Sequence, residues 1–379
     1  MSIPSDGYHF TLHERMRYLS SGTKYDSCNQ SAVCHAFGPD GRCIQLYKTL
    51  LTNYCAGECT YCPNRCHRDV RRVSLSPEEI VKITWGFYRK NAIEGLFLSS
   101  GIIGDPETTT EKQLHVARLL RSQGFNGYIH LRLMPGTPLH LLQEVAGVAN
   151  KFGVNAETTG SVNYSEICPN FDYKKDVLQR LNWTCKLIRK QRKLHRYDRK
   201  TIGANDTQFV VGALDEPDRD IVNTVHDFME KYQLRRPYFM SFDPVPDTPL
   251  ENGSTSPKWR EQRLYQVSYL LKDYGLDSCH IDQIYNDDGF LLNDDPKLEL
   301  ARVNPEMFPV EINSADYSSL LRVPGIGPIS ASRILRSRRP ICGEDELARM
   351  GVVIGRARPF IKIGGSGQAN LIQFAGGCT

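Results

Sequence analysis

The stretch IQLYKTLLTNYCAGECTYCPNRC, residues 44–66, joins a strand pattern to a loop that holds four cysteines. Its first part, 44–52, is rich in apolar and β-branched residues and predicts a buried strand. The loop follows directly, with Cys55, Cys59 and Cys62 in a Cys-x3-Cys-x2-Cys spacing. Three thiols in one tight loop at the end of a strand indicate metal chemistry at that end.

Strand patterns alternate with helical patterns on the C-terminal side of this stretch. The predicted strands lie at 44–52, 95–101, 128–134, 154–160, 207–214 and 238–245. The predicted helices between them lie at 76–91, 110–124, 138–153, 174–196 and 219–233. Six β-α repeats predict an α/β fold, here a partial (β/α)6 TIM-like barrel. In such a barrel the reacting residues lie at the C-terminal ends of the parallel strands.

The pattern changes after residue 250. A helix is predicted at 260–275, an acidic connector follows at 287–301, and a small helical unit begins near 305. We therefore expect three parts: a cysteine-rich N-terminal segment at 1–44, the partial barrel at 45–290 and a small all-α domain at 291–379.

Composition excludes several classes of protein. The 379 residues are 40% hydrophobic and 24% charged, which supports a sizeable core and argues against disorder. No run approaches the roughly 18 to 20 apolar residues of a membrane helix, and the N-terminal residues lack a signal-peptide pattern. We expect a cytoplasmic protein with no membrane partner.

Basic charge is concentrated in two places. Residues 186–200 carry eight bases and one acid, and residues 322–362 carry nine bases and three acids. Since the net charge of the whole chain is only +4, the remainder is acidic. This distribution favours a polyanionic partner. The alternative is that each run is a solvated helix face.

The cysteine loop fits an iron-sulfur cluster better than zinc. Three thiolates ligate three corners of a [4Fe-4S] cluster and leave one iron open to an external ligand. A structural zinc site needs four ligands, and Cys66 or His67 would have to complete the set. Upstream, Cys28, Cys34 and Cys43 either form a second cluster site or are reduced structural thiols. The remaining single cysteines are expected to be buried thiols.

By position and spacing, the loop resembles that of the radical S-adenosylmethionine (SAM) superfamily. The resemblance implies a [4Fe-4S] cluster, SAM bound to the open iron, and a 5′-deoxyadenosyl radical that abstracts hydrogen from the substrate. It implies that Tyr61 contacts adenine and that polar residues and glycines at the later strand ends contact the cofactor. These positions are Ser99, Ser100, Gly101, Glu157, Ser161 and Gly212.

The sequence DYSSLLRVPGIGPISASRILRSRR, residues 316–339, places a glycine-containing turn between two helical patterns. It resembles a helix-hairpin-helix module, which holds a DNA phosphate through exposed backbone N–H groups. A degenerate second hairpin is predicted at 350–361. The alternative is a purely structural helical hairpin. The predicted DNA-contacting residues are Lys190, Arg192, Lys193, Arg196, Gly325, Gly327 and Arg333.

Most of the chain, residues 25 to 363, resembles the DNA modification and repair branch of that superfamily. The resemblance rests on DGRCIQLYKTLLTNYC (40–55), FYRKNAIEGLFLSSG (87–101), FNGYIHLRLMPG (125–136), MFPVEINSADYSSLLRVPGIG (307–327) and GVVIGRARPFI (351–361). Cys66 and the basic 186–200 segment depart from that branch.

The resemblance implies radical modification of a DNA base, by rearrangement, remodelling or cleavage, with a hypermodified phage thymidine as a candidate substrate. It also implies an electron donor such as flavodoxin or ferredoxin. A base in a duplex would be flipped out to reach the cluster. Radical chemistry on RNA, or a DNA-binding iron-sulfur redox sensor that does not cleave SAM, are the alternatives. The residues expected to face the substrate are Arg132, Tyr238, Asp243 and Cys185.

Overall fold

The computed structural model describes residues 10–21, 32–37, 43–194 and 204–364. Within these ranges the chain forms two compact units. The first comprises residues up to Glu216 together with Asp227–Glu261, and the second comprises Pro217–His226 together with the residues from Gln262 onward. The predicted boundaries at residues 44 and 290 stay predictions. No helix among the described residues has both the length and the apolar character needed to span a membrane.

The first unit is built on one sheet whose strands follow chain order. The strands are β1 (Val33–Phe37), β2 (Cys43–Leu50), β3 (Gly95–Ser99), β4 (Tyr128–Leu133), β5 (Lys151–Val154), β6 (Ala204–Val211) and β7 (Arg236–Ser241). β2 to β7 are parallel, and β1 pairs antiparallel with β2 at the edge. The predicted α/β fold with six parallel strands is confirmed; β1 was not predicted.

Most helices in this part of the chain connect successive parallel strands; the first precedes β1 and the last follows β7. The helices are α1 (Leu12–Ser21), α2 (Pro77–Arg89), α3 (Pro106–Ser122), α4 (Leu139–Val148), α5 (Gly160–Ile167), α6 (Gln179–Leu194), α7 (Asp218–Tyr232) and α8 (Lys258–Asp273). α2 packs against α3, α3 against α4, and α4 against α6. Consecutive helices that pack side by side beside strands in sequential order give an open, partial barrel, because a doubly wound sheet would divide its helices between two faces.

Local chemistry sets where the helices begin. The Ser76 side chain accepts a hydrogen bond from the Glu79 amide, and the Glu79 carboxylate accepts one from the Ser76 amide, so α2 starts with a complete capping box. The Asp105 carboxylate accepts from the Thr108 amide at the start of α3, four residues before the predicted start at 110.

The predicted boundary between α4 and β5 was also wrong. Residues 138–153 were expected to be one helix, followed by a strand at 154–160, but α4 ends at Val148 and β5 occupies Lys151–Val154. Asn150 explains the shift, since its backbone N–H donates to Ile129 O at 2.8 Å and its side-chain Oδ1 accepts from Ile129 N at 2.8 Å. These bonds hold the chain beside β4 before the predicted strand begins, and residues 155–159 are left as the loop after β5.

The second unit contains short helices around a separate apolar core. They are α9 (Ser278–Ile281), α10 (Pro296–Val303), α11 (Tyr317–Arg322), α12 (Pro328–Leu335), α13 (Glu344–Arg349) and α14 (Ile354–Ala357). The core includes Leu320, Ile326, Leu347 and Phe360. The expectation of an all-α unit needs one correction, because β8 (Val310–Glu311) and β9 (Ile361–Lys362) form a short parallel pair.

Candidate active site

The loop after β2 is held in place by buried polar side chains. Thr52 donates to Val73 O at 2.9 Å, and Asn53 donates to Arg71 O and accepts from Val73 N, both at 2.6 Å. The guanidinium of Arg72 donates to four backbone carbonyls, those of Asn53, Asn64, Arg65 and Arg68. These bonds satisfy the carbonyls of an irregular segment and fix the loop before any ligand binds.

Cys55, Cys59 and Cys62 line a cavity at the C-terminal ends of the strands. Its empty volume is about 1270 Å³, part of which is open to solvent. Gly57 lies beneath the thiols, where an added Cβ would approach Cys55 Sγ to 3.2 Å and Cys59 Sγ to 3.9 Å. The glycine therefore keeps the space beside these sulfurs free.

The three thiols do not form a preorganised tetrahedral zinc site. Zinc–thiolate bonds of about 2.3 Å in a tetrahedron place the sulfurs about 3.8 Å apart. Among the described residues, the groups of three potential ligands within 4.8 Å of one another are Glu58–Cys66–His67 and Asp277–Cys279–His280, and the Cys55–Cys59–Cys62 set is not one of them. A wider spacing suits a cluster, because each thiolate there binds a different iron.

Burial makes all three thiols weak acids in the metal-free chain. Burial raises the pKa of Cys55 and Cys62, and the neighbouring Cys168 thiol together with burial raises the pKa of Cys59 well above the usual range. Thiolate is the form that binds iron, so metal loading releases protons and depends on pH.

Cys168 is a fourth thiol at this site, and the sequence did not single it out. Its Sγ lies 3.5 Å from Cys59 Sγ, the side chain is buried, and it lines the same cavity. The cysteine loop and the end of α5 are joined by a bond from Thr60 N to Ile167 O at 2.9 Å. Cys59 and Cys168 are 109 residues apart in the sequence, so no motif spacing could predict that they meet, and only the fold brings them together.

Cys66, the fourth ligand considered from sequence, faces a different group. It lies with Glu58 and His67, whose carboxylate oxygen and imidazole Nε2 are 3.0 Å apart, and it does not line the cavity. Cys168, and not Cys66, therefore lines the same cavity as Cys55, Cys59 and Cys62.

Tyr61 and Glu157 meet on the cavity wall. The Tyr61 hydroxyl donates to Glu157 Oε2 at 2.8 Å. Burial, with the charge of Glu157, raises the pKa of Tyr61 well above its usual range, so the phenol stays neutral and can donate. Glu157 has a φ of 61°, an unusual conformation for a glutamate, and its backbone bonds to Gln208 O and Val210 N hold it there. Such strain is often found at functional sites.

The end of β3 contributes the other predicted cofactor contacts. Ser99, Ser100 and Gly101 line the cavity, and Gly101 N donates to Thr52 O at 2.8 Å. A Cβ on Gly101 would lie 2.2 Å from Tyr54 O, so only glycine lets this turn approach the cysteine loop so closely.

A buried charge cluster, defined as His130, Arg132, Lys151 and Asp206, lies on β4, β5 and β6 and reaches the cavity through Arg132. Asp206 has no exposed surface, and its Oδ2 lies 2.9 Å from His130 Nε2, 3.2 Å from Arg132 Nη2 and 3.4 Å from Lys151 Nζ. Sequence reasoning found Arg132 alone. His130, Lys151 and Asp206 come together only through strand register.

Several predicted site residues do not line the cavity. Ser161 is exposed on α5, Cys185 is buried on α6, and Gly212 lies just beyond β6 against Ser256 and Arg260. Tyr238 is also set back from the cavity, where its hydroxyl accepts from Lys151 at 2.7 Å. Asp243 does line the cavity and accepts from the Thr255 hydroxyl at 3.3 Å.

The proposed second cluster site is not assembled in the described residues. Cys34 and Cys43 lie on β1 and β2, where Cys34 is opposite Leu46 and Cys43 is opposite Phe37. Because side chains alternate across a strand, this register puts the two thiols on opposite faces of the sheet. They cannot both ligate one cluster in this arrangement, and Cys28 lies outside the described residues.

Two glycine turns with positive φ are found in the second unit. Gly325, between α11 and α12, has a φ of 86°, and Gly351, after α13, has a φ of 90°. Val353 N donates to Gly325 O at 3.0 Å, which joins the two turns. Gly327 caps α12 in an extended conformation, and the exposed Arg333 donates to Met350 O at 3.1 Å.

Of the predicted basic contacts in the first unit, Lys190, Arg192 and Lys193 lie on α6, where Arg192 and Lys193 occupy its last turn. The side chains of all three residues are exposed to solvent. Arg196 lies outside the described residues.

Comparison with known proteins gives distant structural similarity. No family model matches the chain, and no curated protein matches it. The structure is similar to HydG, a maturase of the [FeFe]-hydrogenase, with a TM-score of 0.48, 12% identity and coverage of 70% of this chain and 56% of that one. It is similar to methylornithine synthase (PylB), with a TM-score of 0.48, 15% identity and coverage of 70% and 74%.

A third similar structure is the FeFe-hydrogenase maturase HydG from Carboxydothermus hydrogenoformans, with a TM-score of 0.47, 14% identity and coverage of 80% of this chain and 75% of that one. The match spans little more than half the length of the first HydG chain, at 56%. With TM-scores below 0.5, these similarities assign no activity, substrate or residue role to this chain.

Proposed function

We propose that this protein is a radical SAM enzyme that modifies a base in DNA by rearrangement or remodelling. The observation that carries the proposal is the meeting of the Cys55–Cys59–Cys62 loop with the Tyr61–Glu157 pair on one cavity at the strand ends. A loop with three thiols supplies a cluster with one open iron, and the cavity beside it supplies the room for a cofactor and a substrate group.

The residues present fit a [4Fe-4S] cluster and SAM. The donor set is three thiols of one loop, Gly57 leaves the sulfurs uncovered, and the cavity wall beside them mixes polar groups with apolar side chains. When bound, the reduced cluster and SAM supply a 5′-deoxyadenosyl radical that abstracts hydrogen from an unactivated C–H bond.

The chain's own side chains have separable roles in this proposal. Cys55, Cys59 and Cys62 would hold the iron, and Ser99 and Ser100 would offer hydroxyl and backbone groups to the methionyl end of SAM. The Tyr61–Glu157 bond holds the aromatic ring and the carboxylate in place on the cavity wall, where they would contact the adenosyl part of SAM. The apolar side chains of Leu133, Met134 and Phe242 line the same cavity and exclude water, which protects a radical from side reactions.

DNA as substrate is supported by the second unit and by α6. The two glycine turns, the exposed arginines that follow α12 and the basic last turn of α6 are the chemistry that binds phosphate without reading bases. Backbone contacts of this kind fit RNA as well, so the assay below includes both nucleic acids. Reduction of the cluster needs a one-electron donor of the flavodoxin or ferredoxin type.

One observation favours a second candidate function. Cys168 lies 3.5 Å from Cys59, and four cysteines around one cavity are what a closed cluster in a DNA-binding redox sensor would need. The two functions make opposite predictions, because a sensor with four protein ligands has no open iron for SAM.

The test is anaerobic reconstitution with iron and sulfide, then reduction with dithionite in the presence of SAM and measurement of 5′-deoxyadenosine. We expect product from the wild-type protein, more of it with duplex DNA than with RNA, and none from Cys55→Ala. Cys66→Ala is the matched control, because Cys66 lies outside the cavity on the same loop. A fully loaded cluster that yields no 5′-deoxyadenosine would establish the sensor and reject the enzyme.

A further inference from the structure

The buried charge cluster beneath the cavity has more cationic than anionic groups. Asp206 is its one carboxylate, and Arg132 and Lys151 are 5% and 6% exposed. Arg132 and Lys151 hold the pKa of Asp206 far below its usual range despite burial, so the carboxylate is charged. Burial lowers the pKa of His130 to about 4, so this ring is neutral near pH 7. Two cations therefore face one anion within the cluster.

Both cations lie over the Tyr238 ring, with Arg132 Cζ 5.6 Å from its centroid, but their hydrogen bonds differ. Lys151 donates to the Tyr238 hydroxyl at 2.7 Å and lies above the Tyr238 ring, 4.4 Å from its centroid. Arg132 uses Nη2 for Asp206, but its Nη1 is buried and has no hydrogen-bond partner among the described residues. A buried guanidinium N–H without a partner costs free energy unless a ligand accepts from it.

Arg132 combines this unpartnered group with a place on the cavity wall. It precedes Leu133 at the C-terminal end of β4, and both residues line the cavity, whereas His130, two residues earlier, and Asp206 do not. Arg132 is thus the member of the cluster that reaches the cavity, and the others support it from below. Gly153 leaves the room for this support, since a Cβ there would lie 2.4 Å from Asp206 Oδ1.

We propose that Arg132 binds an anionic group, a carboxylate or a phosphate, on the substrate at the floor of the cavity. The proposal rests on the proposed function and names the substrate class of the same site. A guanidinium matches both groups in geometry and charge. If the substrate is a flipped nucleotide, its backbone phosphates stay outside the cavity, where exposed basic residues such as those of the last turn of α6 can contact them, so the group at the floor belongs to the base. Unmodified bases have no anionic group; the substrate is therefore a base that carries an acidic substituent.

The test compares two DNA probes that differ in one charge. Each is a duplex oligonucleotide with a single modified uracil, which is 5-carboxyuracil in one probe and the neutral 5-hydroxymethyluracil in the other. Binding to the reconstituted protein is measured by fluorescence anisotropy at one fixed salt concentration, because backbone affinity depends on salt. We expect the wild type to bind the carboxylate probe roughly 10- to 150-fold more tightly, as one charge-assisted contact in a buried site implies.

Two substitutions of Arg132 and one control make the result specific. Arg132→Gln removes the charge and should abolish the preference, and Arg132→Lys keeps the charge and should retain part of it. Arg180→Gln is the control, because Arg180 is also a buried arginine, but it donates to the backbone carbonyls of Gly136, Thr137 and Lys175 and does not line the cavity. It should lower stability and leave the preference unchanged.

SAM also carries a carboxylate, so a second arm of the experiment separates the two sources. SAM and decarboxylated SAM are titrated into the wild type and Arg132→Gln by calorimetry. The proposal expects Arg132→Gln to bind SAM as the wild type does. If the wild type favours SAM over its decarboxylated form and Arg132→Gln loses that difference, the anion is the methionyl carboxylate and the proposal fails.

The other results are equally decisive. No preference between the probes in the wild type, or a preference that survives in Arg132→Gln, overturns the assignment and leaves Arg132 as a structural partner of Asp206. Formation of 5′-deoxyadenosine is measured on the same preparations with each probe and without nucleic acid. Its absence under all of these conditions, alongside an intact probe preference, would reject the proposed radical chemistry while the anion site stands.

Discussion

His130 makes the stability of the first unit depend on pH. The ring is buried against Phe97, with ring centroids 4.3 Å apart and planes at 20°, and its Nε2 lies 2.9 Å from Asp206 Oδ2. Burial lowers its pKa to about 4, whereas an unfolded histidine titrates near 6.5. Between these values the unfolded chain binds a proton that the folded chain does not, so stability falls as the pH is lowered through this window.

The two pKa values give the size of the effect. Because the pKa of His130 is lower in the folded chain than in the unfolded chain, its effect on the free energy of unfolding is negligible above pH 6.5. The destabilisation grows as the pH falls and is complete near pH 4. The linkage relation gives a loss of about 2 kcal/mol in the free energy of unfolding between pH 7 and pH 5, and about 3.4 kcal/mol over the whole window. Asp206 adds no slope between pH 5 and 7, because its pKa is depressed and an unfolded aspartate titrates near 3.9.

The assay is urea unfolding of the metal-free protein at pH 5, 6 and 7, followed by tryptophan fluorescence. Trp85, Trp183 and Trp259 all lie in the first unit, so the signal reports on the part that contains His130. We expect His130→Gln to remove about 2 kcal/mol of the difference between pH 7 and pH 5. His115→Gln, the same substitution at an exposed histidine, is the control. If His130→Gln keeps the wild-type pH dependence, the neutral buried state of His130 is refuted.

Three further predictions concern the loop, the sheet and the second unit. In iron and sulfide analysis, Cys168→Ser should retain a cluster with full iron content, because three loop thiols suffice, whereas Cys59→Ser should lose the cluster. Loss of the cluster in both variants would make Cys168 a ligand. Gly153→Ala should lower the free energy of unfolding by about 1 to 3 kcal/mol or more in a thermal melt, because the new Cβ would lie 1.9 Å from Asp206 O. Its control is Gly147→Ala in α4, where nothing lies within 4 Å of the new Cβ and the substitution should stabilise the protein by about 0.5 to 1 kcal/mol. Equal effects of the two substitutions would contradict the prediction. Gly325→Ala, at a φ of 86° with a Cβ 2.6 Å from Val353 O, should weaken DNA binding in a mobility-shift assay more than Gly343→Ala, and similar affinities would exclude this turn from the contact.

The fold was largely predictable because its signals are local. A strand of apolar residues, a capping serine followed three residues later by Glu79, and a proline at the first turn of α2 each act within a few residues. The prediction failed at Asn150, where a bond to the neighbouring strand decides that α4 ends and β5 begins. That partner lies 21 residues away, so the helical period of the segment alone gave the wrong boundary.

The candidate site divides in the same way. The cysteine motif is encoded by spacing, since Cys55, Cys59 and Cys62 lie in one loop that any fold would keep together. Tyr61 and Glu157 could each be named from strand-end position, but the 2.8 Å bond between them depends on where β2 and β5 end in the sheet. Cys168 had no local signal and read as an ordinary buried thiol.

The sequence by itself determined most of the strands and helices and which loop carries the thiols, because these depend on neighbours along the chain. The tertiary structure decided which distant groups meet. Parallel register alone sets Lys151 opposite His130 and Asp206 opposite Gly153, and so assembles a buried charge cluster under Arg132. A shift of one residue in either pairing would turn these side chains to the other face of the sheet, because side chains alternate along a strand.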